Sequence, residues 1–369
     1  MKNNKYKWNN IEIIKKYFKC LKDIINCKDE SKKLELTLDK QNIEDMLFFT
    51  ILNVPSFPAV SNLKRDIFFD KKFISDETTE FQQKNIKEFI EASLNNKFKI
   101  ASSTQIAHDF DVINDCLCFL DTISNELKEE LIKTIENNNL FLNNNKHEKN
   151  YAGVTYYLNN TNYYEICLNT MFNAIITLNH ELAHGLVNNI AKRKYNKENK
   201  VILYREVSSL LIEFYANNYL FNNNLIPYDE YVSNFNASFL INVYNYIEII
   251  DVLYNISTDN NFNVNKKDVQ KYIKNKKKKN INYNFDTKEL TELPLKNHLI
   301  YLYSFMISLG IYYNYKDNQK EGLKVAFDIM KRINEKNEEE ILKSYNINPL
   351  DSLNKYIDEN NELIKKMNN

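Results

Sequence analysis

Glycine and proline are scarce in this chain, four and five residues respectively in 369. Sandwiches and barrels of short strands turn about every 8–12 residues and rely on those two residue types to do so. Their scarcity excludes an all-β architecture and points to long helices. No sign of charge dominates either: Lys+Arg and Asp+Glu both number 49, so net charge supplies no pull toward nucleic acid or an anionic membrane. Long hydrophobic runs are lacking. The opening "MKNNKYKWNN" has no apolar core of signal-peptide length, and "SFLINVYNYIEIIDVLYNI" (238–256) is interrupted by Glu248 and Asp251, so it reads as a buried helix. The five cysteines are scattered and odd in number, and Cys116-Leu117-Cys118 is too tight for a zinc knuckle. Reduced packing cysteines and a cytoplasmic location are expected.

What is present is a globular balance, 43% apolar and 27% charged, with no internal repeat. Helical periodicity covers 9–30, 38–53, 79–96 and 104–138. The Asn-rich "NNNLFLNNNKHEKN" (137–150) reads as a connector. Two β-like runs, "VTYYLN" (154–159) and "YYEICLN" (163–169), predict a hairpin. A helix over about 171–193 follows, then a turn at 196–200 and an amphipathic helix at 202–221. The remainder is expected to be helical apart from the lysine-rich 274–294, which reads as a solvated loop.

The helix at 171–193 carries "TLNHELAHGLVNN" (177–189), with two of the five histidines four positions apart. In a chain this poor in histidine, a chance H-E-x-x-H has odds of roughly one in two hundred. On a helix, His180 and His184 share a face and can present two imidazole nitrogens to one ion. Zinc accepts such nitrogens together with a carboxylate, and its catalytic sites keep one position for water. Glu181 is placed to act as general base toward that water. The third ligand must come from a neighbouring element. In "YREVSSLLIE" (204–213), Glu206 and Glu213 stand seven apart on one face. Folding this helix back on the first assigns Glu206 as the ligand and Glu213 as the acceptor that orients a histidine. His108 and His147 have no comparable partners nearby.

These segments resemble the thimet oligopeptidase and oligoendopeptidase F family of zinc metallopeptidases, of gluzincin type. "YYEICLNTMFNAIITLNHELAHGL" is similar to the active-site strand and helix of that family, and "YREVSSLLIE" to its second zinc segment. "NHLIYLYSFMISLG" (297–310) and "YNINPLDSLNKYIDENNELIKKM" (345–367) resemble the segments that follow. The resemblance covers about residues 150–369. Ala183, Val187 and Gly310 depart from the family pattern at positions that are not metal ligands, and the chain is shorter than typical members.

The resemblance implies a mainly α fold: a large helical body split by an active-site channel, with a small antiparallel sheet beside the HExxH helix. Residues 1–145 would form one wall of the cleft and 146–369 the catalytic region. It implies one Zn2+ and a peptide substrate lying along "EICLN" as an edge strand, touching Ile166, Cys167, Leu168 and Asn169. It further implies His298 and Tyr303 as donors to the developing oxyanion, with Tyr301 and Tyr312 at the substrate. The expected activity is zinc-dependent endopeptidase cleavage of short or unfolded peptides, with no nucleic-acid or membrane partner. A dedicated maturation protease and a non-catalytic peptide-binding descendant are the alternatives.

Overall fold

The computed structural model describes residues 10–29, 80–95, 111–143, 152–158, 161–168, 173–191, 206–242, 295–332 and 337–368, with isolated positions between them. Among the described residues the chain is mainly helical, with one small sheet. The helices described first are α1 (Asn10–Asn26), α2 (Glu80–Asn95), α3 (Val112–Ile123) and α4 (Asn125–Glu136). The strands follow as β1 (Leu140–Asn143), β2 (Gly153–Leu158) and β3 (Thr161–Cys167). Among the described residues the helices that follow are α5 (Ala174–Ala191), α6 (Val207–Asn222), α7 (Tyr228–Asn242), α8 (Leu295–Tyr315), α9 (Gln319–Arg332), α10 (Glu338–Ser344) and α11 (Pro349–Met367).

The single helix expected over 104–138 is two helices. Ser124 adopts an extended conformation, donates its N–H to Leu120 O to close α3, and accepts Leu127 N on its hydroxyl to open α4. One serine thus serves as C-cap and N-cap in turn. The hairpin of β2 and β3 is antiparallel, with Gly153 opposite Ile166 and Thr155 opposite Tyr164. The "LFLN" inside the expected connector is β1, which joins β3 in parallel and makes the sheet mixed, in the order β1-β3-β2. The helix expected at 38–53, the turn at 196–200, the lysine-rich stretch, His108 and His147 lie wholly or mostly outside the described residues.

Helices α5 and α6 lie side by side at the centre. Both are largely buried, with apolar residues on several faces and buried polar ones such as Asn179, Glu181, Ser208 and Asn217 among them. The sheet, α3 and α4 pack on α5, while α7, α8 and α9 pack on α6. One core runs from Ile86 and Phe89 of α2 to Ile364 of α11, so segments on both sides of residue 145 share it. Phe214, Phe235, Phe239, Phe305 and Tyr356 form an aromatic cluster joining α6, α7, α8 and α11. This packing sets α5 and α6 against each other and places the polar groups between them. Among the described residues, no helix is long and apolar enough to cross a membrane.

Candidate metal centre

Helix α5 begins at Asn173, whose side-chain oxygen accepts Ile175 N at 3.0 Å. Its amide nitrogen donates to Glu230 Oε1 of α7 at 3.1 Å, tying the start of the helix to the body. Two turns on, His180 and His184 project from the same face, rings edge to face with centroids 4.8 Å apart. Their Nε2 atoms stand 3.1 Å from each other. Glu206, the residue before the first turn of α6, brings Oε2 to 3.0 Å from His184 Nε2 and 3.4 Å from His180 Nε2.

The three atoms form a triangle with edges of 3.0, 3.1 and 3.4 Å. Ligands placed about 2.0–2.1 Å from a tetrahedral zinc ion are roughly 3.3 Å apart, so this triangle is one face of such a shell. The chemistry of the donor set agrees. Glu206 is fully buried, and a buried carboxylate needs a positive partner close by. Two imidazole lone pairs and one carboxylate oxygen at these distances repel unless a cation or proton lies among them. Among the described residues, His180, His184 and Glu206 are the group whose donor atoms could hold a metal ion together.

Further groups orient this set. Glu213 Oε1 is 2.5 Å from His180 Nδ1, so the ring donates there and turns its Nε2 lone pair toward Glu206 and His184. Ser209 Oγ lies 3.1 Å from Glu206 Oε2 and steadies the carboxylate. Burial opposes a charged His180, but Glu213, Glu206 and Glu181 together outweigh it and hold its pKa well above the usual range. The negative charge gathered around the two imidazoles also suits a cation. Glu213→Gln is therefore expected to weaken metal affinity about 10- to 100-fold while leaving the fold intact. Competition titration against a chromophoric chelator, alongside thermal melting, checks this.

Glu181 points to the sheet side of α5. Its Oε2 is 2.5 Å from Thr155 Oγ1 of β2. The strand approaches this closely because Gly153 has no side chain. A Cβ there would stand 2.7 Å from Thr177 Cγ2, 2.9 Å from Glu181 Cγ and 3.1 Å from Glu181 Oε1. A similar approach occurs beside His184, where a Cβ on Gly185 would meet the Tyr164 hydroxyl at 1.8 Å. That hydroxyl donates to Glu130 Oε1 at 2.8 Å, which fastens β3 to α4.

Other expectations are corrected by the structure. The run "EICLN" is not an edge strand: β3 is central, with its main chain paired to β1 on one side and β2 on the other. Ile166 and Cys167 are buried at 0% and 5% exposure, and Leu168 is half-buried, so they serve the core. Among the described strands β1 and β2 are the edges of the sheet, and it is β2 that lies beside Glu181. Asn169 lies outside the described residues.

Tyr303 is fully buried, and its hydroxyl donates to Glu338 of α10, as does that of Tyr204, edge on to it. A phenol committed in this way cannot also face a substrate carbonyl. Tyr312 is buried too, its hydroxyl accepting Asn218 Nδ2 at 3.2 Å within a cluster of Phe214 and Tyr215. Tyr301 is half-buried against the core. His298 belongs to the first turn of α8, with its side chain outside the described residues. Sequence alone does not single out Gly153 and Thr155. Their only local signal is a glycine and a hydroxyl on one face of a strand placed just before the motif helix.

No protein-family model matches the sequence, and no curated protein is similar to it at sequence level. Solved structures do match over nearly the whole chain. One described as an oligoendopeptidase F from Bacillus anthracis str. Ames has a TM-score of 0.52 at 12% identity, covering 95% of this chain and 73% of that one. PZ peptidase A, crystallised with an inhibitor, has a TM-score of 0.54 at 11% identity, with 97% and 78% covered. A structure described as a peptidase from Chlamydophila abortus has a TM-score of 0.51 at 11% identity, with 95% and 63% covered. The fold of this chain is the oligoendopeptidase F fold.

Proposed function

We propose that this chain, built on that fold, is a zinc-dependent endopeptidase that hydrolyses peptide bonds in short or unfolded peptides. The observation that carries the reading is the triangle of His180 Nε2, His184 Nε2 and Glu206 Oε2, with the Glu181 carboxylate next along the same helix. An H-E-x-x-H pair alone is a spacing. Here it comes with a buried third donor at tetrahedral distances and an orienting carboxylate at 2.5 Å.

His180, His184 and Glu206 would hold the ion, with Glu213 fixing the tautomer of His180. When bound, zinc would supply Lewis acidity toward the substrate carbonyl and the attacking water. Glu181 accepts the proton of that water as it attacks the scissile carbonyl and returns it to the departing amine. An extended peptide fits along the outer side of β2, where main-chain N–H and C=O groups can pair with it and Glu181 lies alongside. With Tyr303 buried on Glu338, His298 is left as the proposed donor to the oxyanion.

Incubation with peptides of graded length, with and without a zinc chelator, tests this, with products read by mass spectrometry. Internal cleavage that stops on chelation and returns on adding zinc is the expected result. Cleavage indifferent to the chelator, or none by protein holding one zinc per chain, would overturn it. Cleavage confined to one folded precursor would favour the maturation protease instead.

A further inference from the structure

Thr155 is the residue of β2 that hydrogen-bonds to the proposed base. Its Oγ1 lies 2.5 Å from Glu181 Oε2 and 2.9 Å from the main-chain oxygen of the same residue. A threonine hydroxyl has a single hydrogen to donate, and here both acceptors within reach belong to Glu181. Directed at a carboxylate, such a donor makes a short, charge-assisted bond. The main-chain contact fixes the hydroxyl to the helix that carries the base. Thr155 also sits opposite Tyr164 in register, and Tyr164 is itself fastened through its hydroxyl to Glu130.

From this geometry we infer that Thr155 is a positioning residue for the reaction, pinning Oε2 of Glu181 so that Oε1 alone takes and returns the proton. The inference rests on the endopeptidase reading. A carboxylate on a flexible two-carbon stem can rotate and exchange its oxygens. If it did so between taking and releasing a proton, the proton would be carried away from the peptide. Donation from Thr155 to Oε2 remains possible whether Oε1 is bare or protonated, so the pin holds through the cycle. Gly153, two residues earlier on the same face of β2, leaves the space that Glu181 Cγ and Oε1 border, 2.9 and 3.1 Å from its would-be Cβ. The strand therefore meets the base at two points, one a hydrogen bond and one an absence of side chain. Neither contact involves His180, His184 or Glu206, so the pin and the metal set can be perturbed separately.

The test compares Thr155→Val, Thr155→Ser and wild type with zinc loaded. Thr155→Val keeps the shape and removes the donor. It is expected to hold one zinc per chain and melt close to wild type, with kcat falling about 10- to 100-fold and KM little changed, the scale set by misplacing a reacting group by about 1 Å. Thr155→Ser is expected to recover most of kcat. A crystal structure of Thr155→Val should show the Glu181 carboxyl displaced from its place beside β2, a readout that does not depend on turnover. Should Thr155→Val not fold, Thr155→Ala removes the hydroxyl at lower steric cost and carries the same comparison.

Wild-type kcat in a hydroxyl-free variant would overturn the inference, as would an unmoved Glu181 carboxyl. Zinc loss or a lowered melting temperature in step with kcat would overturn it too, since the hydroxyl would then be supporting the fold. A wild-type protein that holds zinc and cleaves nothing defeats the endopeptidase reading instead, and the position of Glu181 in the crystal still decides the pin.

Discussion

Glu181→Gln is expected to bind zinc as the wild type does and to lose peptide cleavage by about 10²- to 10⁴-fold, the range over which a positioned general base contributes. The substitution keeps shape and volume, and the amide oxygen can still accept from Thr155, whose hydroxyl lies 2.5 Å from Oε2 in the native site. What disappears is the ability to take a proton. Glu181 is not among the three residues whose donor atoms converge, so the metal set should not register the change. Zinc analysis of the purified variant beside initial rates on a quenched-fluorescence peptide makes the measurement. Undiminished cleavage would remove Glu181 from the mechanism.

Glu206→Ala is expected to act the other way, losing the metal and with it all activity. The carboxylate is fully exclude from solvent and lies 3.0 and 3.4 Å from the two imidazole nitrogens. Without it, two neutral donors remain, short of the three protein ligands that catalytic zinc sites use. The variant should purify with well under one zinc per chain and bind added zinc far more weakly in competition with a chelator. His184→Ala should behave in the same way. Together with Glu181→Gln, these variants separate holding the ion from using it. A Glu206→Ala protein with stoichiometric zinc would mean that another donor completes the shell.

Part of this was legible in the sequence because it is local. His180 and His184 lie one turn apart on any helix, and Glu206 and Glu213 share a face for the same reason. Once α5 and α6 are placed side by side, few arrangements of the four are open. The scarcity of glycine and proline likewise foretold a helical body. The sheet was harder to read. β1 is four residues in an Asn-rich run and is a strand only because β3, about 20 residues on, pairs with it in parallel. Nothing within "LFLN" announces that partner, and it is this pairing that makes β3 central where the resemblance implies an edge.

The surroundings of Tyr303 and Tyr312 were not legible for a different reason. With 25 in the chain, spacing relative to His298 could not tell a phenol aimed at a substrate from one anchoring a buried carboxylate. Glu338, which accepts from both Tyr204 and Tyr303, comes from a helix more than 30 residues further along. Gly153 and Thr155 act on Glu181 across a contact between strand and helix whose register is set by the whole sheet.

The central claim is that two imidazole nitrogens and one buried carboxylate oxygen share a single divalent ion. X-ray absorption at the zinc edge of protein purified without chelators tests it most directly. The account predicts one zinc per chain in a shell of nitrogen and oxygen at about 2.0–2.1 Å, with imidazole scattering from two rings and no sulfur. A shell containing sulfur at about 2.3 Å, or a protein that takes up no zinc when it is offered, would contradict it.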